Sequence, residues 1–279
     1  MIGSNAATLS TLLLSALLFA PGCGGSGEGS TSAAKPAEKA EAGGAEAEAV
    51  EAVAAAGSRD EITVNPATAA TIKGTVKFSG TPPKSRPIDF GADPVCKGLH
   101  TERVFEEKVV VNPNDTLRYA FVRVTKGLPS GKFTPPTAPA VIDQKGCMYT
   151  PHVFGMMTGQ TLIIRNSDNT NHNIHGYPKK NEGFNFGQTT AGMEEKRVFK
   201  YAETIPVKCD RHGWMEGFIH VMTHPYFSTS DESGAFEIKN LPPGSYTIEA
   251  WHESLGTKTS EVTVGPSETK TLEFTFAAK

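Results

Sequence analysis

Three residues able to bind a soft metal lie within seven positions of one another in the second half of the chain. Cys209, His212 and Met215 supply a thiolate, an imidazole and a thioether, and an apolar run over residues 218–222 follows. Copper that cycles between Cu(II) and Cu(I) favours two imidazoles and one thiolate, with a distant methionine sulfur. The loop therefore lacks one imidazole, which another strand has to supply.

A candidate for that imidazole follows a predicted strand upstream. Residues 159–168 read Gly-Gln-Thr-Leu-Ile-Ile-Arg-Asn-Ser-Asp, a turn and a strand, and a short loop then leads to a His-Asn pair at 172–173. Together with the Cys-x2-His-x2-Met loop, this pattern resembles the cupredoxins, the plastocyanin and amicyanin family. The resemblance implies one type 1 copper ion with four ligands: His172, Cys209, His212 and Met215.

The resemblance also gives roles to neighbours of the ligands. Asn173 is expected to tie the two ligand loops together and to lie against the thiolate sulfur. Trp214, inside the loop, is interpreted as part of an apolar docking patch around an exposed edge of His212, with core packing as the alternative. Phe218 either adds to this dry surround or packs in the core.

Other interpretations use the same residue types. A structural zinc site usually has more Cys or His at this spacing, although His175, His220 and His224 are near in sequence. A Cys–His nucleophile pair would need an orienting acid and an oxyanion site, which the sequence does not indicate. His175 is the main rival to His172, but on an extended strand residues three apart point to opposite faces. We therefore expect His175 at the surface or beside the site.

The first residues indicate export. The apolar run over residues 9–20 has the length of a signal peptide, and it ends at Ala-Pro-Gly-Cys23, which resembles a bacterial lipoprotein signal. The alternative is an ordinary secretory signal with a chance cysteine. We expect residues 1–22 to be a signal peptide, Cys23 to be lipidated, and the protein to be a periplasmic or cell-surface lipoprotein anchored to a membrane.

The next segment predicts a tether. Residues 23–61 are mainly Gly, Ser, Ala and Glu and cannot offset the entropy of ordering, so we expect a disordered linker. Residues 24–61 hold eight of the 30 acidic and three of the 27 basic residues, which leaves 22 acidic and 24 basic in 62–279. This near-neutral balance gives no reason to expect nucleic acid as a partner.

Two cysteines remain, Cys96 and Cys147. In an oxidising compartment the simplest use of two such residues is a disulfide bond. The alternative is a pair of separate free thiols, and the spacing alone does not decide between them.

Residues 62–279 predict an all-β fold, because short runs rich in Val, Ile, Thr, Phe and Tyr are separated by Gly, Pro and Asn. Near the end, a Gly-x-Phe strand is followed by Leu-Pro-Pro-Gly-x-Tyr over residues 241–246. This resembles the carboxypeptidase-regulatory-like module, a small transthyretin-like β-sandwich.

The two resemblances predict two β-sandwiches. A cupredoxin-like Greek-key sandwich is expected over residues 128–225, and the carboxypeptidase-regulatory-like sandwich over 226–279. Strands of the type that normally opens this module occur upstream, at 74–78 and 119–124. We therefore expect residues 62–127 to complete the C-terminal sandwich, with the copper domain inserted; the alternative is two domains in tandem.

The expected function is one-electron transfer between a redox-protein donor and acceptor, for example a cytochrome. We expect no enzymatic activity, because the His-x-His pairs that commonly mark a second copper centre do not occur. One alternative is copper storage or delivery with the same ligands. Another is a metal-free structural or adhesion module at the cell surface.

Overall fold

The structure, a computed structural model, describes residues 61–91 and 93–278, which form sixteen strands and one short helix, α1 (Pro94–Gly98). The strands are β1 (Ala70–Ser79), β2 (Phe121–Lys126), β3 (Ala140–Lys145), β4 (Met148–Thr150), β5 (Val153–Met157), β6 (Thr161–Asn166), β7 (His172–Gly176), β8 (Phe184–Gln188), β9 (Glu194–Val198), β10 (Glu203–Lys208), β11 (Glu216–Met222), β12 (Phe227–Thr229), β13 (Ala235–Leu241), β14 (Gly244–His252), β15 (Gly256–Val264) and β16 (Thr269–Ala277). The predicted all-β class is confirmed.

Several predictions concern residues that the structure does not describe. The signal peptide 1–22, the lipidated Cys23 and all but the last residue of the linker 23–61 lie outside the described residues. Within the described ranges, we find no helix with the length and apolar character needed to cross a membrane.

One sandwich, the terminal sandwich, combines β1 and β2 with β12 to β16. In its first sheet β1 lies between β13, to which it is antiparallel, and β16, to which it is parallel. In its second sheet β2 lies between β12 and β14, with β15 at the edge. Apolar side chains such as Ile72, Val122, Ile248 and Phe274 fill the space between the sheets. Strands from both sides of the β3–β11 segment therefore share one hydrophobic core.

The central sandwich consists of β3 to β11. Its sheets have the strand orders β5-β11-β10-β7-β8 and β4-β3-β6-β9. Burial alternates along β6, with Leu162 and Ile164 facing inward, as expected of a strand with one face on the core. These side chains pack with Ile142, Ile205 and Ile219. The result is a rigid frame whose loops position the predicted ligands.

Residues 86–106, called the cap below, depart from the predicted arrangement. The whole of 62–127 was expected to complete the C-terminal sandwich, yet Phe90 and Cys96 are buried in the core of the central sandwich. The physical reason is covalent, because Cys96 forms a disulfide with Cys147 between β3 and β4. The predicted disulfide is therefore present, and it joins the cap to the central sandwich.

A buried histidine connects the two sandwiches. The side chain of His152 is 3% exposed, and its Nε2 lies 2.5 Å from Oε1 of Glu253, which follows β14 of the terminal sandwich. Its Nδ1 donates to the carbonyl oxygen of Glu216 at 2.9 Å. Burial opposes protonation, but the Glu253 and Glu107 carboxylates outweigh it and raise the pKa of His152. Protonation of His152 therefore strengthens this contact between the sandwiches.

Replacing His152 should cost more stability at low pH than at high pH. A group whose pKa is raised on folding stabilises the fold below its unfolded pKa, near 6.5, and this stabilisation is lost as pH rises through the folded pKa. We expect His152→Gln to lower the free energy of unfolding by about 2 kcal/mol at pH 6 and by less at pH 9, measured by urea unfolding.

The control for this measurement is Lys77→Gln, which breaks an ion pair between exposed Lys77 and Glu273 side chains. It should change stability by no more than about 0.5 kcal/mol at either pH. An equal loss at both pH values in His152→Gln would contradict a charged contact.

Candidate metal centre

Three donor atoms meet at one end of the central sandwich. His172 begins β7, whereas Cys209 and His212 lie in the loop between β10 and β11. The Nδ1 atoms of His172 and His212 are 3.0 Å apart, and Sγ of Cys209 is 3.8 Å from Nδ1 of His212. All three donor atoms lie within 4.8 Å of one another. The structure thus brings together three candidate ligands that the sequence carries on two remote segments.

These distances fit a shared metal ion. Two nitrogens each about 2.0–2.1 Å from one ion lie no more than about 4 Å apart, and a nitrogen and a thiolate sulfur lie no more than about 4.4 Å apart. The N–N distance of 3.0 Å and the S–N distance of 3.8 Å at His212 are both below these limits. His172, Cys209 and His212 are only 0%, 3% and 4% exposed, so few water molecules compete for the donors. Two imidazoles and one thiolate are the set that redox-active copper favours. The residues present therefore fit copper.

Met215, the predicted fourth ligand, is fully buried in the same loop. Its backbone N–H donates to the carbonyl oxygen of His212 at 2.9 Å, and its own carbonyl oxygen accepts from the N–H of Cys209 at 3.1 Å. These bonds turn the loop back on itself. They hold the Met215 backbone against Cys209 and His212, the other two candidate ligands of the loop.

A carboxylate orients the first histidine. Nε2 of His172 lies 2.9 Å from Oδ2 of Asp168, and this carboxylate also accepts from the backbone N–H groups of Gly146 and Cys147 at 2.8 and 2.7 Å. A bond at Nε2 fixes the tautomer and leaves Nδ1 free for a metal. Sequence reasoning did not assign Asp168 a role, although it ends the Asn-x-Asp pattern four residues before His172.

His212 does not have the exposed edge that the sequence predicted. Its ring is almost completely buried, with Nε2 3.2 Å from Oδ2 of Asp93 and 3.9 Å from Sγ of Cys96. The Trp214 ring covers it from another side, at a centroid distance of 5.0 Å. The prediction was wrong because Asp93 and Cys96 belong to the cap, more than a hundred residues earlier in the chain.

The aromatic neighbours also differ from the predicted docking patch. Trp214 is half-buried, donates from Nε1 to the carbonyl oxygen of Cys147 at 3.0 Å, and meets Phe90 of the cap edge-on at 5.3 Å. Phe218 packs against Trp251 at 5.2 Å, between the two sandwiches. Trp214 therefore contacts the cap, and Phe218 has the core-packing role that was the alternative.

Asn173 ties the two ligand segments together. Its Oδ1 accepts from the backbone N–H of Asp210 at 2.6 Å, and its Nδ2 donates to Oδ2 of Asp210 at 3.1 Å. His175 points away from the converging donors. Its Nδ1 lies 3.2 Å from Oδ1 of Asp210, and its ring stacks on exposed Tyr177 at 4.0 Å. His172, not His175, therefore faces the site.

The surroundings of Cys209 and Asp168 lower the pKa of both side chains and so favour their negatively charged forms. Burial raises the pKa of the Cys209 thiol, but hydrogen bonds from His172 and His212 outweigh it and lower that pKa to about 6. Burial likewise opposes ionisation of Asp168, and its bonds with His172 and two backbone amides lower its pKa. A thiolate is the form of cysteine that binds metal, so Cys209 is prepared for that role.

Replacing Asn173 should reduce stability and copper retention more than replacing its neighbour Asn185. Asn173→Ala leaves the part-buried backbone N–H of Asp210 without its acceptor, so we expect a loss of about 1–3 kcal/mol in the free energy of unfolding. Copper should also pass to a chelator faster. Urea unfolding of the copper-free protein and the rate of copper loss measure the two effects.

The matched control removes an amide from the same hydrogen-bond network. Asn185 is exposed and donates to Oδ2 of Asp210, so Asn185→Ala should change stability by no more than about 0.5 kcal/mol. Equal effects of the two substitutions would count against a special role for Asn173.

Comparison with known families supports part of this description. Residues 221–277 match the carboxypeptidase regulatory-like domain family, which confirms the resemblance inferred from the C-terminal strand and turn motif. The matched stretch contains β12 to β16, and β1 and β2 complete its sheets. No curated protein sequence shows a significant match to this chain.

Solved structures with similarity to the chain include cupredoxins. A purple cupredoxin from Nitrosopumilus maritimus is 22% identical over 29% of this chain and 98% of its own, with a TM-score of 0.26. An oxidised amicyanin variant is 20% identical over 30% of this chain and 81% of its own, with a TM-score of 0.27. A copper-containing nitrite reductase from Thermus scotoductus SA-01 is 20% identical over 36% and 25%, with a TM-score of 0.29.

Proposed function

We propose that this protein is a one-electron carrier that binds a single type 1 copper ion through four residues: His172, Cys209, His212 and Met215. The observation that carries the proposal is the convergence of two imidazole Nδ1 atoms and one thiolate in a buried pocket. When bound, copper supplies a reversible one-electron couple.

The protein fixes the positions of the donor atoms. His172 is held by β7 and by Asp168, and the β10–β11 loop is fastened by its own backbone bonds and by Asn173. Ligands that keep their positions in both oxidation states allow electron exchange with little reorganisation, and their bonded neighbours tune the potential. This rigidity supports electron transfer.

The burial of the ligands favours a carrier over the alternatives. A substrate would need access to the ligand atoms, and a delivery protein would need an easy path for the metal. His172, Cys209 and His212 each have less than 5% of their surface exposed. We therefore propose that redox proteins, such as a cytochrome, are the donor and acceptor and that the chain transforms no substrate itself. Export and the lipid anchor at Cys23 remain proposals from the sequence.

The visible spectrum tests this function. The full chain with one equivalent of Cu(II) should develop an intense thiolate-to-copper band that bleaches with ascorbate and returns with hexacyanoferrate(III). Cys209→Ser should abolish the band because it removes the thiolate. His175→Ala, which changes a histidine that faces away from the donors, should preserve the band.

Each competing function predicts a different spectrum. A pale product with readily exchanged metal would favour copper delivery, and no stoichiometric uptake would favour a metal-free structural module. A band that survives in Cys209→Ser would show that the site assignment is wrong.

A further inference from the structure

The carboxylate of Asp93 covers the His212 side of the site, and both of its oxygens are hydrogen-bonded. Oδ2 of Asp93 lies 3.2 Å from Nε2 of His212 and accepts from the Thr170 hydroxyl at 2.9 Å. Oδ1 accepts from the backbone N–H groups of Val95 and Cys96 at 2.9 and 3.1 Å. Asp93 is thus the N-cap of α1 as well as the partner of a candidate metal ligand, and its orientation is fixed.

His172 and His212 therefore have the same set of partners. Asp168 binds Nε2 of His172, Asp93 binds Nε2 of His212, and the two Nδ1 atoms face each other. The side chains of Asp168 and Asp93 are only 4% and 15% exposed, so water screens their charges weakly. Each imidazole therefore lies between the donor pocket and a carboxylate.

The disulfide links these two carboxylates through its backbone. The N–H of Cys96 donates to Asp93, and the N–H of Cys147 donates to Asp168. Both cysteines are fully buried. The Cys96–Cys147 bond therefore braces the two acids behind the two histidines, and it prevents the cap from moving away from His212.

We propose that Asp93 is a positioning residue of the metal site, carried on a disulfide-tethered cap that fixes the His212 imidazole and closes its edge to solvent and partner proteins. The inference deepens the proposed function, on which it rests. Because Cu(II) carries one more positive charge than Cu(I), a fixed carboxylate next to a ligand stabilises Cu(II) and lowers the reduction potential. Because the cap covers the His212 ring, partner proteins exchange electrons with the site without contacting that ring.

Asp93→Asn separates these roles from helix capping. Asparagine caps a helix as well as aspartate does, so Val95 and Cys96 keep an acceptor while His212 loses the charged one. Asp93→Ser, with a shorter side chain that still caps, is the second variant. Asp89→Asn is the matched control, because Asp89 is an exposed acid of the same cap whose contact is the backbone N–H of Gly91.

The measurements use the copper-loaded full chain. We expect Asp93→Asn and Asp93→Ser to favour Cu(I) about tenfold relative to wild type, which corresponds to a potential about 59 mV more positive. Azide should leave the visible band of the wild type and of Asp93→Asn unchanged, because asparagine fills the same space. It should alter the band of Asp93→Ser, whose shorter side chain leaves the edge of His212 uncovered. Asp89→Asn should match the wild type in both measurements, and thermal unfolding should show that all variants are folded.

The possible failures are distinguishable. A blue band in all variants would leave the electron carrier intact. The role of Asp93 would be overturned if Asp93→Asn had the potential of Asp89→Asn and Asp93→Ser had its azide response. An azide-induced change in the wild-type band would overturn closure whatever the variants do. A wild-type protein that forms no blue band would remove the proposed function and this inference together.

Discussion

The donor pocket depends on the antiparallel pairing of β7 with β10, in which Val207 lies opposite Gly176 and Lys208 opposite His175. This register places the residue that follows β10, Cys209, beside the interior side of β7, from which His172 projects. Because side chains alternate between the faces of a strand, a slip of one residue would turn His172 outward. The apolar residues of both strands, among them Ile174 and Val207, make such a slip costly.

The buried polar groups around this pocket are hydrogen-bonded to one another, which offsets the free-energy cost of burying them. A buried carboxylate is costly unless it is hydrogen-bonded, and Asp168 accepts from two backbone amides as well as from His172. Asp93 is bonded at both oxygens in the same way. The disulfide that links the cap to the β3–β4 turn supplies one amide to each acid. Covalent and hydrogen-bonded constraints therefore act together behind the ligands.

The terminal sandwich supports the central one on a separate side. Its strands come from before and after the β3–β11 segment, so both ends of that segment are anchored in one hydrophobic core. His152 and Glu253 add a buried hydrogen-bonded contact between the sandwiches, and Phe218 packs on Trp251 nearby. These contacts restrict motion of the central sandwich relative to the terminal sandwich, as the proposed electron transfer requires.

Local patterns in the sequence predicted the all-β class and the C-terminal module, and both are confirmed. They also named the candidate ligands. Cys209, His212 and Met215 share one short loop, so their spacing alone indicated a metal site, and the His-Asn pair at 172–173 follows a recognisable strand. The burial of His212, the role of Asp93 and the attachment of residues 86–106 to the central sandwich were decided only by the tertiary structure. The physical reason is distance along the chain: Asp93 and His212 are 119 residues apart, and no local periodicity records which remote segment will cover a given side chain.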